Sequence, residues 1–280
     1  MLPLRWIVVF SFSLLLGIGV FQAVHALDPA DEKNVVNYSV LSEIGIGGYD
    51  VGDREVRAFQ IPFSYQLRPM LDDQFGIKIL FPITLATADV DAINVEEIVL
   101  PFDTKIVAAK PGLELQFPLR PNWALKPFGK IGLGQDISEG NSALLYSLGL
   151  KSRYSFPFKD FRLAFGAGIS FEAYAPSGER QNDFTNIGIG LDATYPLGLT
   201  LFGRKTHIGG YLAYYYYLDE LEFDRIFRTP IEINDQIEVA MTFGVYDPIP
   251  ILLFSFERIG LAYRFSEELK AISLVFEFPF

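Results

Sequence analysis

From Phe161 to Ala175 an apolar side chain stands at every odd position: Phe161, Leu163, Phe165, Ala167, Ile169, Phe171, Ala173 and Ala175. Arg162, Ser170 and Glu172 occupy the opposite phase. Successive side chains of a β-strand point to opposite faces, so a period of two sustained over this length specifies a strand with one greasy face. The pattern recurs along most of the chain and restricts it to sheet architectures. A soluble sandwich also alternates, but its second face meets water and carries many charges. Here the second face is rich in Gly, Ser, Thr and Tyr, with scattered charges of both signs. That composition suits a partly filled interior, and the apolar rows then meet lipid. An Arg or Lys at mid-membrane on the lipid face costs roughly 2–4 kcal/mol. The central outward positions of the strands between Gln74 and Tyr195 carry none.

Taken in order, the periodicity predicts strands over Asn37–Gly47, Glu55–Leu67, Gln74–Leu85, Thr104–Leu119, Trp123–Gly134, Ala143–Phe156, Phe161–Ala175, Phe184–Tyr195, His207–Leu218, Gln236–Tyr246 and Ile251–Phe265. A last strand occupies the stretch from Lys270 to Phe280. In Ile251–Phe265 the apolar phase switches at Glu257-Arg258, which predicts a β-bulge there. Short connections such as Arg120-Pro121-Asn122, Phe156–Asp160 and Tyr246–Pro250 alternate with long ones such as Ala86–Asp103 and Asp219–Asn234. Pro196–Thr206 reads as long where a short turn belongs. The fold expected is all-β: an antiparallel transmembrane β-barrel of about twelve strands, closed by pairing of the first and last strands, which leaves no exposed edge. An even count returns both ends to one side of the membrane.

The start of the chain has the order of a secretory signal peptide. Met1–Arg5 is basic, Trp6–Phe21 is apolar, and Val24 and Ala26 sit at the small-residue positions before a cut. The expected organisation is a signal peptide over 1–26, a polar lead-in over 27–36 and the barrel over 37–280. A formal charge of −11 argues against nucleic acid, whose phosphates demand a basic face. With no cysteine and two histidines the chain has little material for thiolate or imidazole chemistry, and no metal or cofactor is expected.

In the last stretch Ile272, Leu274, Phe276, Phe278 and Phe280 fall on every second position. This resembles the recognition signal of bacterial outer-membrane barrels, an alternating aromatic-rich strand with a terminal Phe. The resemblance implies outer-membrane localisation and the barrel-assembly machinery as a partner during insertion. Size, strand count and the Ala271–Phe280 strand together make Asn37–Phe280 similar to the solitary outer-membrane autotransporter-like β-barrel family. Leu27–Val36 is too short for a passenger or a pore-threading helix. The resemblance therefore implies a passenger-free, translocator-like barrel acting as a narrow pore or a surface scaffold, without enzymatic activity.

Residues in the opposite phase to the apolar rows are the lumen-lining candidates: Lys78, Lys110, Glu114, Lys126, Lys130, Lys151, Arg153, Arg162, Glu172, Asp192, Tyr211, Tyr215, Glu238 and Arg264. Buried charges must be paired or hydrated, so the set predicts either a salt-bridged plug or a water-filled path. Basic members dominate, which favours anions in an open lumen. Gly45-Ile46-Gly47, Gly132-Leu133-Gly134, Gly166-Ala167-Gly168 and Gly188-Ile189-Gly190 repeat a Gly-x-Gly pattern. No strand-to-helix unit follows any copy, so these read as inward glycines that leave room for bulky neighbours rather than as phosphate loops. His207 is the one histidine beyond the signal segment and carries the alternative expectation of a barrel hydrolase, with Asp89 and Asp91 as possible acids. The long loops are acidic, with Asp50, Asp53, Glu96, Glu97, Asp103, Asp136, Glu139, Asp219, Glu220, Glu222 and Asp224. They suit a solvated rim or a divalent-ion bridge to lipopolysaccharide, the expected neighbour alongside outer-membrane lipid.

Overall fold

The computed structural model describes residues 46–51, 54–88, 106–137, 140, 142–176, 182–222, 232–251, 254–267 and 269–280. The predicted signal peptide, lead-in and most of the first predicted strand lie outside them, as do Asp53, Asp89, Asp91, Glu96, Glu97, Asp103, Glu139 and Asp224. The described residues form one antiparallel sheet from thirteen segments. They are β1 (Ile46–Val51), β2 (Arg54–Arg68), β3 (Gly76–Ala88), β4 (Ile106–Ala109), β5 (Gly112–Arg120), β6 (Trp123–Asp136), β7 (Ser142–Phe158), β8 (Phe161–Pro176), β9 (Asn182–Leu201), β10 (Arg204–Glu222), β11 (Glu232–Ile251), β12 (Phe254–Phe265) and β13 (Leu269–Val275). β4 and β5 are two arms of one strand, since both pair with β3 on one side and β6 on the other, so the sheet has twelve strands. The break falls at Lys110-Pro111, where proline has no N–H for the ladder. The ladder is carried across it by the Lys110 N–H to the Pro82 carbonyl, 3.1 Å, and the Ile131 N–H to the Pro111 carbonyl, 2.9 Å.

Neighbours in sequence are neighbours in the sheet. In addition β1 pairs with β13, with Ile46 opposite Leu274 and Val51 opposite Leu269. The large apolar residues of β5 to β12 lie exposed on one face, Ile131, Leu148, Phe165, Leu191, Met241 and Leu261 among them. On the other face Leu145, Ser147 and Ala213 are fully buried, all at 0 % exposure.

At one end of the sheet three turns are two residues long. Arg120 pairs with Trp123, Phe158 with Phe161, and Leu201 with Arg204. Phe202 and Gly203 have φ of 51° and 75°, the left-handed pair of a type I′ turn, whose twist matches that of the flanking strands. The long connection expected over 196–206 is therefore corrected. Pro196 and Gly198 look like loop residues but sit within β9. Pro196 pairs with His207, and the register shift between Lys205 and His207 leaves Leu197, Gly198 and Leu199 of β9 opposite Thr206, whose hydroxyl donates to the Leu199 carbonyl at 3.0 Å.

The phase switch predicted at Glu257-Arg258 is a register shift. Gly244 pairs with Arg258 and Ile249 with Phe256, so the surplus residues lie on β11 rather than on β12. The second correction concerns the last stretch. β13 stops at Val275, and Phe276–Phe280 leave the sheet. Ile272 and Leu274 are outward and exposed as expected, but Phe278 and Phe280 are buried on the inner face. Phe280 reaches Gly166 of β8 and Gly190 of β9, which lie five and four strands from β13 along the sheet order. Five residues span at most about 18 Å, whereas five strand spacings cover about 24 Å in a flat sheet. The sheet is therefore strongly curved, with Phe276–Phe280 on its concave side.

Candidate functional site

Among the described side chains, alternation brings the polar phase of the strands to the concave face, and the segment 276–280 lies across it. Gly166 pairs with Gly190 and Gly168 with Gly188, giving a block of four glycines on adjacent strands. A Cβ at Gly166 would stand 2.4 Å from the Phe280 Cβ, and one at Gly188 2.9 Å from its ring. Only glycine lets the ring lie there. Tyr215 stacks on Phe280 with centroids 6.2 Å apart, and Phe278 meets Phe280 edge-on at 5.2 Å and Tyr211 at 5.6 Å. Phe278 and Phe280 join Tyr211, Ala213, Ala240 and Ala262 in one apolar cluster. Polar contacts fix the rest of the segment. Lys78 holds the Glu277 carboxylate at 2.8 Å, and the Lys126 ammonium donates to the Phe280 carbonyl at 3.2 Å.

Around this segment the buried charges are paired. Lys110, at the β4–β5 break, donates to Glu172 of β8 at 2.9 Å, with both side chains almost wholly buried. Arg258 grips both oxygens of Asp192 at 2.8 and 3.1 Å, and Arg153 approaches the same carboxylate at 3.9 Å. Arg264 donates through Nε to Glu238 at 2.6 Å and pairs through Nη2 with the same oxygen, while the Tyr211 hydroxyl donates to the other at 2.6 Å. Such pairs satisfy charge that water cannot reach, and breaking one side is costly. Glu114 is buried and accepts from Gln116 at 2.9 Å.

The face is not solid. A cavity of about 510 Å³ is lined by Lys78, Lys126, Lys151, Arg153, Trp123 and Glu277 among others. A second, of about 270 Å³, is lined by Lys130, Glu172, Asn186, Tyr217 and Gln236 among others. Lys151, Glu114, Arg264, Pro279 and Phe280 border both, so the segment lies between the two. The expected ion-paired filling thus lies beside two cavities lined by polar and charged side chains.

Of the candidates read from the sequence, Lys78, Lys110, Glu114, Lys126, Lys130, Lys151, Arg153, Glu172, Asp192, Tyr211, Tyr215, Glu238 and Arg264 lie on this face or border its cavities. Arg162 stands apart, exposed near the two-residue turns with its guanidinium over the Tyr246 ring at 4.8 Å. Two groups were missed. Arg258 sits at the phase switch, where alternation no longer tells inward from outward. Glu277, Phe278 and Phe280 were assigned by extending a strand beyond its last partner. The paired Gly-x-Gly repeats were the available signal for a bulky group seated between them.

His207 is buried and packs against Tyr246, with ring centroids 4.8 Å apart. Its Nδ1 has no hydrogen-bond partner among the described residues. No serine or carboxylate among them holds it as a catalytic base is held, and the Asp89 and Asp91 expected to serve it lie outside them. No protein-family model and no curated protein matches the chain.

Proposed function

We propose that the chain is a closed, twelve-stranded β-barrel of the bacterial outer membrane, reached after signal-peptide export, and that it works as a narrow, non-enzymatic pore with its own segment 276–280 lodged inside. The observation that carries this reading is the inversion of the two faces. Large apolar side chains are exposed outward in continuous rows, while ion pairs and polar cavities lie inward. A soluble protein rarely exposes apolar surface on that scale, whereas lipid requires it. The spacing of outward aromatics supports the same reading. Tyr195 lies level with Ile208, and Tyr216 follows eight residues further along β10. That is about 27 Å along the strand, or about 20 Å across the membrane at a barrel tilt near 40°, close to the height of an apolar band between aromatic girdles. Pairing of β1 with β13 supports the closure.

Reconstitution tests it. Protein refolded into planar bilayers should give small conductance steps, below those of a large porin. Gly166→Val, which takes the space of Phe280, should enlarge them. Insertion without conductance in either protein would leave a surface scaffold in place of a pore. A chain that is monomeric and soluble without detergent would remove the membrane reading altogether.

A further inference from the structure

Lys126 of β6 and Lys151 of β7 are register partners, and Arg153 stands two residues beyond Lys151 on the same face of β7. Like charges directly opposite each other on a sheet face repel, so a trio of this kind calls for counter-charge. Neighbouring cations already have theirs: Lys78 holds Glu277, Arg258 holds Asp192 and Arg264 holds Glu238. The trio is served differently. Lys126 meets a main-chain carbonyl, Lys151 stands 5.3 Å from the Phe128 ring, and Arg153 comes second to Arg258 at Asp192. Glu114, Glu257 and Glu277 border the same cavity, and Glu277, held by Lys78, also faces the charges of Lys126 and Lys151, yet among the described residues none of the three makes an ion pair with the trio. All three cations open onto the 510 Å³ cavity, which is of the size that small-molecule sites have.

We propose that Lys126, Lys151 and Arg153 form a binding site for a small anion carrying a phosphate or carboxylate group. Two ammonium groups and a guanidinium converging on one space give charge-assisted hydrogen bonds, with the planar fork of arginine fixing the orientation of the oxyanion. The proposal rests on reading the interior as open to solutes, and does not require that the barrel conduct.

Trp123 is placed to report on it. Its indole N–H donates to the Ser152 hydroxyl at 2.9 Å, between Lys151 and Arg153 in sequence, and it lines the cavity. The other tryptophan is Trp6, which a Trp6→Phe background removes. Inorganic phosphate titrated against chloride at fixed ionic strength, into the folded full chain in detergent, should change the Trp123 emission saturably, and citrate should compete. The Lys126→Gln/Lys151→Gln variant should bind about tenfold more weakly or worse, while Lys159→Gln at an exposed turn should leave the midpoint unchanged. Should the double variant fail to fold, Arg153→Gln alone decides, with a several-fold weaker midpoint expected. A non-saturating response, or an unmoved midpoint in the folded variants, overturns the site. Because binding is read in micelles, its failure would leave the pore reading untouched, and absent conductance would leave the site untouched.

Discussion

β8 and the stretch from Leu269 to Phe280 carry almost the same sequence signal and have different fates. Both keep an apolar side chain at every second position, β8 from Phe161 to Ala175 and the other from Ile272 to Phe280. β8 is paired along its length, to β7 from Phe161 to Pro176 and to β9 from Arg162 to Tyr174, and Phe161, Phe165 and Ile169 of its odd positions lie exposed on the outward face. The other stretch is paired only to Val275, and Phe278 and Phe280 then turn to the concave side. Alternation thus fixes which residues share a face, but only where neighbouring strands hold the backbone extended. Where pairing ends, the destination of an aromatic side chain is set by the best available seat. Here that seat is a block of glycines, with Tyr211 and Tyr215 beside it.

The comparison can be broken outright by crosslinking, since the chain has no native cysteine. In a Gly166→Cys/Phe280→Cys variant, a shift of about 1 Å brings the Cβ atoms from 2.4 Å to disulfide separation. Near-complete oxidation is expected, read as a mobility change on non-reducing gels, with none in Gly166→Cys/Ile272→Cys. Failure of the first pair to oxidise would return Phe280 to the outward row.

The remaining predictions sharpen the contrast by decreasing effect, each measured by urea unfolding of vesicle-folded protein. Lys110→Met removes the ammonium that donates to the buried Glu172 carboxylate of β8 at 2.9 Å and should cost about 3–5 kcal/mol, most of which Lys110→Met/Glu172→Leu restores. Phe165→Arg places a charge at the centre of the outward face of β8 and should cost roughly 2–4 kcal/mol if that face meets lipid. In water the same exposed change would stay within about 0.5 kcal/mol. Glu277→Gln removes the carboxylate held by Lys78. That carboxylate is more than half exposed to the cavity, so the loss should stay below about 1 kcal/mol. A large effect there would show that the segment is docked far more rigidly than its polar contacts indicate.

Much of the site could be read in advance because a strand needs no tertiary information to sort its side chains. Glu172, Asp192 and Glu238 sit in the polar phase of strands that run unbroken past them, and all three are buried on the concave face. Arg258 could not be read in this way. The register shift between Gly244 and Ile249 changes the phase beside it, and its bond to Asp192 joins β12 to β9, strands that are not neighbours. Lys110 was assigned to the right face, but nothing in its surroundings names Glu172, 62 residues away, as its partner.

By itself, then, the sequence determined that this chain is a sheet protein with one greasy and one polar face, because a period of two is a local property of extended backbone. It also marked most of the turns that divide the strands and so a count of about twelve, which the pairing of β4 and β5 with β3 and β6 made definite. The tertiary structure alone decided which charges meet across the concave side and where Phe278 and Phe280 lie. Those outcomes depend on curvature and on the space that four paired glycines leave open, and neither is encoded in any single strand.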